Sequence, residues 1–382
     1  MRITILPGSV PSTTFIDMLI NTMADEGFDV TVVGKQTGAY NYKSGVSTII
    51  VPEGTTSRIF FILKMLLLTG FKHFGKIVGA SNRLTGLFNN LLFYLPIIYS
   101  KPDKIHIQWT AFIHNRDLLF ELYPNKVLVS MRGAHINYTP ITTPEIKESY
   151  LRLFSKVHRF HAVSNAIAQE AIQYGADIEK TDVIYSCVDD SLLEKPISRK
   201  KHSDTLHVIS VGRFFWKKGY EYALDALCEL KKADVPFKYT LIAEGDTPAS
   251  IKYQIHQLGL SDYVTIINRL PHDEVLTQIE NADVLLLTSV EEGIANVVLE
   301  AMGIGTPVIT TNVGGMSEVI VDGESGYLVP ARDVSSITTT LKKFRRRTPE
   351  ERYAIAENAK SQIQQHHNRK NYAEQFVRFY KN

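Results

Sequence analysis

Two short segments concentrate the side chains that could do chemistry. The first reads Gly212-Arg213-Phe-Phe-Trp-Lys217-Lys218-Gly219, with three cations held between two glycines. Arg213 offers a fork of donors that fits phosphate oxygens, and Lys218 a point charge. The second runs from Ser289 to Thr311, SVEEGIANVVLEAMGIGTPVITT, and carries Glu292 and Glu300 with seven residues between them. Two carboxylates repel a phosphate, so the cations for one must come from elsewhere, and the first segment offers them. Its helical pattern starts near Asn296, read here as the N-cap, and the free amides of a helix start suit an anion. Glu292 and Glu300 could both reach one elongated ligand. Glu292 sits in a loop and Glu300 about one turn into the helix, so the two would meet that ligand at different points. Neither segment is a phosphate loop ending in Gly-Lys-Ser/Thr, and only Gly8 stands where a dinucleotide glycine fingerprint would follow the first strand. An NAD or ATP site therefore has poor motif support.

Side chains of this kind need strand ends to hold them, and the chain supplies such ends throughout. Arg2 to Leu6 reads as a strand, Pro7 to Ser12 as a loop, and a helix follows with apolar residues at Phe15, Met18, Leu19 and Met23. Asp29 to Val33 is the next strand, which completes a βαβ unit and implies a parallel sheet. Further strands are expected at 104–108, 126–130, 159–164 and 182–186. The pattern breaks over 190–205, a polar stretch with Pro196 and the basic run Arg199, Lys200, Lys201 and His202, which reads as a linker. A second series then begins. It has strands at 206–212, 239–245, 263–267, 283–289, 307–311 and 326–330, and helices at 219–233, 249–258, 272–281 and from about 296. The fold class is α/β, with two successive doubly wound Rossmann-like domains. Ligand crevices of such sheets lie outside the carboxyl ends of the strands, where both chemical segments fall.

Composition narrows the function classes. The 382 residues hold 42 Lys+Arg against 40 Asp+Glu, a formal net charge of +2, and 44% are hydrophobic. So balanced a chain argues against nucleic acid as a partner. Cys187 and Cys228 are too few for a disulfide framework or a four-ligand zinc site. No apolar run reaches the roughly 18 residues of a membrane span, and the first residues are too short a run for a signal peptide. A soluble, cytoplasmic, multi-domain protein is expected. One region departs from this balance: Gly54 to Pro102 holds Arg58, Lys64, Lys72, Lys76, Arg83 and Lys101, eight aromatics and no acidic residue. It reads either as buried helices of the first domain or as a surface resting on anionic lipid, peripheral to the inner face of a membrane.

The order and spacing of these motifs resemble family four of the retaining, nucleotide-sugar-dependent glycosyltransferases, which have the GT-B fold. GRFFWKKG is followed about 75 residues later by EEGIANVVLEAMGIGTPVITT, and smaller matches agree: FHAVSNAI at 160–167, DVIYSCVDD at 182–190, LPHDEV at 270–275, NADVLLLTS at 281–289 and GGMSEVIVDGESGYLVP at 314–330. The resemblance is strong from 160 to 335 and weak before 130. It implies an acceptor-binding domain over 1–195, a nucleotide-sugar domain over 196–360 and a final helix, 361–382, crossing back to the first domain, with catalysis in a cleft between the two.

The resemblance also implies roles. Arg213 and Lys218 would hold the donor diphosphate and stabilise its charge as the sugar–phosphate bond breaks, with no metal and no cofactor. Glu292 would face the donor sugar, and the main chain of Gly293, Ile294, Ala295 and Asn296 would touch sugar hydroxyls and phosphate. Glu300 would take the ribose hydroxyls, and the base would lie near Arg269 and Leu270. His135, with Arg132 beside it after the strand KVLVS, matches a His that faces the donor sugar; His106, on an apolar strand, reads as core. Gly8 would let the backbone approach the diphosphate. Plainer roles compete: Glu300 as an ordinary helix pair and Lys217 as a solvated neighbour. The implied reaction is retaining transfer from a UDP-sugar, in preference to a GDP-sugar, to a carbohydrate or lipid-linked acceptor in cell-surface polysaccharide assembly. A sugar-nucleotide epimerase or hydrolase, or a non-catalytic binding protein, are the alternatives on the same scaffold.

Overall fold

The computed structural model describes residues 1–81, 83–198 and 203–382. The basic run Arg199 to His202 of the expected linker lies outside the described residues. The chain forms two compact units, Met1–Val163 with Ile167–Ile184 and Ala373–Asn382, and Ser164–Ala166 with Tyr185–Tyr372.

The first unit is built on a parallel sheet of seven strands: β1 (Arg2–Val10), β2 (Asp29–Gln36), β3 (Val46–Ile50), β4 (Lys104–Ile107), β5 (Val127–Met131), β6 (Arg159–Ala162) and β7 (Thr181–Val183), in the order β3-β2-β1-β4-β5-β6-β7. The expected loop at Pro7–Ser12 is for the most part strand. β1 slips register between Ile5 and Gly8, then pairs again through Gly8, Ser9 and Val10 with Gly34, Lys35 and Gln36. Pro7, which has no N–H to give a ladder, falls in that slip, and Val10 beyond it is fully buried. β3 is absent from the sequence reading because its residues Val46–Ile50 are exposed or half-buried at the sheet edge and carry no apolar run.

Helices over Thr55–Thr69, Phe74–Gly79 and Leu84–Ser100 account for the acid-free region. The last of these buries Leu91, Leu92 and Tyr94–Ile98 against the core, as the buried-helix reading expects. The first is amphipathic in an unusual way. Ile62, Met65 and Leu66 are buried, while Phe60, Leu63, Leu67 and Leu68, at helical spacing on the other side, are 68, 52, 76 and 50% exposed.

Residues 373–382 complete the first unit's core. Phe376, Phe379 and Tyr380 are fully buried and ring His106 and His161. His106 shares hydrogen bonds with Ser130 and Tyr380, and burial holds both imidazoles well below their ordinary pKa. His106 is therefore a core residue, as expected.

The second unit carries a parallel sheet of six strands: β8 (Leu206–Arg213), β9 (Phe237–Glu244), β10 (Val264–Ile267), β11 (Val284–Leu287), β12 (Val308–Thr311) and β13 (Tyr327–Val329), in the order β10-β9-β8-β11-β12-β13. Helices cover both faces, which is why the strands read as near-continuous apolar runs. The units divide at Ile184/Tyr185 rather than at 195/196. The start of the expected linker is a helix, Asp190–Glu194, whose N-cap Asp189 accepts from the Ser191 amide and whose Leu192 and Leu193 are buried in the second unit's core. Polar composition hid two core leucines. At the other end, residues 361–372 stay with the second unit and only the last ten residues belong to the first.

Candidate active site

In the second sheet the strand order reverses between β8 and β11, which are neighbours. The loops leaving their carboxyl ends are Phe214–Gly219 and Thr288–Ala295, the two segments singled out above. An α/β sheet opens its ligand crevice at such a reversal. Local bonds bring the loops together: the Val290 amide donates to the Lys217 carbonyl (2.7 Å), and Thr288 Oγ1 to the Gly219 carbonyl (2.8 Å). Gly219, at φ +60°, is required here, because a Cβ would lie 2.3 Å from the Thr288 carbonyl oxygen.

The centre of the arrangement is Glu292, 7% exposed. Lys218 Nζ donates to its Oε1 at 2.5 Å, Ser289 Oγ donates to the same oxygen at 2.9 Å, and Lys217 Nζ stands 4.0 Å from Oε2. Burial by itself raises the Glu292 carboxyl pKa, but the charges of Lys218 and Lys217 and the two hydrogen bonds outweigh it, so the group is held below its ordinary value. Lys217 is not a solvated neighbour. Its side chain is 12% exposed, and its ammonium is shifted down by burial and by Lys218, against the opposing pull of Glu292. The two residues to which the resemblance gives separate ligand groups, Glu292 and Lys218, are thus one another's partners.

Below Glu292 the backbone is packed glycine to backbone. Gly314 (φ +54°) has its Cα face against the Glu292 carbonyl, and a Cβ there would stand 1.9 Å from that oxygen. The Gly315 amide donates to the Gly293 carbonyl (2.6 Å). Ser289, Gly314 and Gly315 went unremarked as site residues. A glycine pair just past a strand was the available signal, but its use depends on a loop more than twenty residues away.

The helix after this loop runs Asn296–Ile304 with Ala295 as its N-cap, so Asn296 is the first helical residue and no cap. Ala295 has no side chain to cap the first turn; its carbonyl accepts from the Val298 amide at 2.9 Å, and the amides ahead of Val298 have no side-chain cap. Glu300 lies one turn in and accepts from, or pairs with, His272 Nε2 at 2.9 Å; that hydrogen bond raises the His272 pKa. The remaining residues line the same carboxyl edge. Arg213, exposed, ends β8; Arg269, exposed, follows β10 and lies 3.6 Å from Glu244 at the end of β9; Leu270, half-buried, packs on the core. Ile294 likewise packs on that core, next to Gly293 and Ala295, both buried.

Two expected site residues belong to the first unit. His135, in the short helix Ala134–Asn137 after β5, lays its ring on Trp109 (centroids 5.4 Å apart), and its Nδ1 faces the Ala111 amide at 3.4 Å. Arg132 beside it is buried, donates to the Gln108 side chain (3.0 Å) and lies over Phe15 at 4.5 Å. Gly8 (φ +91°) is in β1, and a Cβ on it would meet the Phe112 ring at 2.8 Å. It admits an aromatic ring as well as leaving backbone open.

Comparison with known proteins agrees with this geometry. Residues 194–362 match the family "Glycosyl transferases group 1". The amylovoran biosynthesis glycosyltransferase AmsK of Erwinia amylovora is 26% identical over 87% of this chain and 87% of its own length. The putative colanic acid biosynthesis glycosyltransferase WcaL of Escherichia coli is 29% identical over 62% of this chain and 57% of its own. In fold, sucrose-phosphate synthase of Thermosynechococcus elongatus superposes with a TM-score of 0.77 at 16% identity, covering 100% of this chain and 98% of the other. Anabaena HepE, solved in complex with UDP-glucose, gives 0.73 at 16% identity over 99% and 98%. Residues 194–362 are thus similar to the group 1 glycosyltransferases, and the chain carries the GT-B fold.

Proposed function

We propose that this glycosyltransferase moves a sugar from a UDP-sugar, or less favourably a GDP-sugar, to an acceptor hydroxyl with retention, in the assembly of a cell-surface polysaccharide or lipid-linked oligosaccharide. The Lys218–Glu292 pair at the strand-order reversal is the observation that carries it. An incoming diphosphate competes with Glu292 for Lys218. Arg213, exposed at the end of β8, adds a forked donor set, and together they stabilise the charge left on the departing diphosphate. Glu292, still near Lys217, is then available to the sugar hydroxyls. Glu300 serves the ribose hydroxyls, and the main chain at Arg269 and Leu270 the base. The acceptor's proton passes to the departing diphosphate oxygen, so one face of the sugar sees both departure and attack. The named activities of AmsK and WcaL support the polysaccharide context, and the UDP-glucose complex of HepE supports the donor.

The exposed apolar side of the Thr55–Thr69 helix favours work at a membrane. Phe60, Leu63, Leu67 and Leu68, with Phe71 just beyond, stand outward beside Lys64, Lys72 and Lys76 with no acidic residue from 54 to 102. Apolar and basic character together fit an anionic bilayer surface. No helix among the described residues is long and apolar enough to cross a membrane.

Thermal unfolding with millimolar UDP, GDP, ADP and NAD tests the donor. A ligand at 100 times its Kd adds about 2.7 kcal/mol, so a melt raised by UDP or GDP alone is expected. A rise with NAD alone, or with none of the four, would refute the assignment. Flotation with anionic vesicles at low salt tests the membrane, and absence of binding there removes it.

A further inference from the structure

Tyr220 opens the helix Tyr220–Lys232, which follows the loop that carries Lys217 and Lys218. It is 3% exposed, and among the described residues its buried hydroxyl has no hydrogen-bond partner. Most buried phenols find one, because a donor removed from water and left unmet costs folding free energy. Gly212, near the end of β8, shows where this hydroxyl lies. A Cβ there would stand 2.6 Å from the Tyr220 oxygen, and 3.3 and 3.6 Å from Cε and Cδ of Lys218. The phenol and the lysine stem therefore border one small space, which the glycine leaves to them.

The surroundings keep this group a fixed donor. Phe214 sets its ring edge-on to Tyr220, with centroids 5.8 Å apart and planes at 71°, and steadies the phenol from the loop. Burial, reinforced by Tyr239 and the Glu292 charge against the pull of Arg213, pushes the phenol pKa well up, so the proton stays on. Beside it, Lys218 directs its ammonium to Glu292 Oε1 at 2.5 Å, and Ser289 donates to the same oxygen at 2.9 Å. That carboxylate oxygen already has two donors. The acceptor that suits Tyr220 is one that arrives with a ligand, at the place where Lys218 changes partner.

We infer that Tyr220 is a further residue for binding the donor: as the diphosphate draws Lys218 away from Glu292, the moving lysine stem uncovers the Tyr220 hydroxyl, which donates to an oxygen of the distal phosphate. The inference rests on the nucleotide-sugar reading of this site for the identity of the anion. The distal phosphate is chosen because it bears the sugar, and Lys218 reaches it from Glu292, the residue given to the sugar. The hydroxyl lacks a partner in the free protein and has one in the complex, so it favours the bound state beyond what a surface hydroxyl would. It also adds a neutral donor to the charge that builds on the departing diphosphate. A phenol kept only for packing would do neither.

The experiment compares the full chain with its Tyr220→Phe variant, by thermal unfolding without ligand and by calorimetric titration with UDP and UMP. GDP and GMP take their place if only GDP raises the wild-type melt. Phenylalanine keeps the ring beside Phe214 and removes only the oxygen. The variant is expected to melt at the wild-type temperature or above it, because the group removed has no partner in the free protein. It should nevertheless bind UDP about tenfold more weakly, the loss of one hydrogen bond to a charged oxygen. UMP, which lacks the distal phosphate, should bind both proteins alike. Tyr327→Phe removes a buried hydroxyl from β13 and should leave UDP affinity unchanged. Unchanged UDP affinity in Tyr220→Phe, with or without a lowered melt, overturns the inference. So does an equal loss for UMP, or the same loss in Tyr327→Phe. Failure of wild type to bind either diphosphate is a different result: it removes the donor reading itself, and the inference with it.

Discussion

Replacing Lys218 by Ala removes the hydrogen-bonded partner of a carboxylate that is almost wholly buried. The side chains of the pair are 15 and 9% exposed, so solvent cannot take the place of the lost ammonium. Breaking a buried pair from one side costs about 3–5 kcal/mol. Here Ser289 still donates at 2.9 Å and Lys217 stays 4.0 Å away, which lowers the expectation to about 2–4 kcal/mol. For a unit of this size that is a fall in Tm of about 5–15 °C. Urea unfolding followed through Trp216, with Trp109 replaced by Phe to silence the first unit, reads the second unit directly. The pH dependence gives an independent check. In wild type the folded carboxyl pKa is depressed, so its stabilisation is present above the unfolded value of about 4.3 and is lost as pH falls through the lower folded value. In the variant burial raises the carboxyl pKa, so the destabilisation is full near neutral pH and shrinks on acidification. The gap between the two proteins should therefore close as pH drops from about 7 toward 4. Adding Glu292→Gln to Lys218→Met should recover only part of the loss, since the buried carboxylate is gone but Lys217 then loses the charge opposite it. A cost below about 1 kcal/mol, or a gap independent of pH, would refute the reasoning and make the pair a solvated one.

Two further outcomes follow from the same site. Gly314→Ala should destabilise the second unit by about 3 kcal/mol or more, through the collision with the Glu292 carbonyl and the positive φ together; Gly323→Ala, at φ +79° with open space around it, should cost only about 1 kcal/mol by thermal unfolding. Glu300→Gln should return the His272 titration, followed by NMR, toward 6.5, because the raised value depends on that carboxylate, and should weaken UDP binding about tenfold if the ribose is its ligand.

Much of the second unit was legible in advance. Its six strands and the helices expected at 219–233, 249–258, 272–281 and from about 296 fall within about two residues of those positions, His272–Asn281 matching at both ends; the helix Val334–Arg345 was not among them, and the expected final helix 361–382 is instead the two helices Pro349–His366 and Arg369–Lys381. Those elements announce themselves through apolar period and turn residues, which are local. The first unit was less open to reading. β1 continues past Pro7 because a slipped register recovers its pairing with β2, and β3 lacks an apolar run. Asp190–Glu194 looked like linker because two core leucines were embedded in polar residues.

By itself the sequence determined the alternation of strand and helix, the parallel sheets that follow from it, and the presence of cations and carboxylates at strand ends. These depend on residues close together along the chain. The tertiary structure alone decided that Lys218 and Glu292, 74 positions apart, compensate each other, that Lys217 is drawn in beside them, and that Gly314 must lack a side chain. It also decided which side of the Thr55–Thr69 helix is covered. An apolar period tells that a helix has faces to bury, but a helix apolar all round does not say which face finds a neighbour; here Ile62, Met65 and Leu66 find the core while Phe60, Leu63 and Leu67 do not. A charge likewise carries its sign in the sequence and its partner only in the fold, because Coulomb energy and desolvation depend on distance and burial rather than on order along the chain.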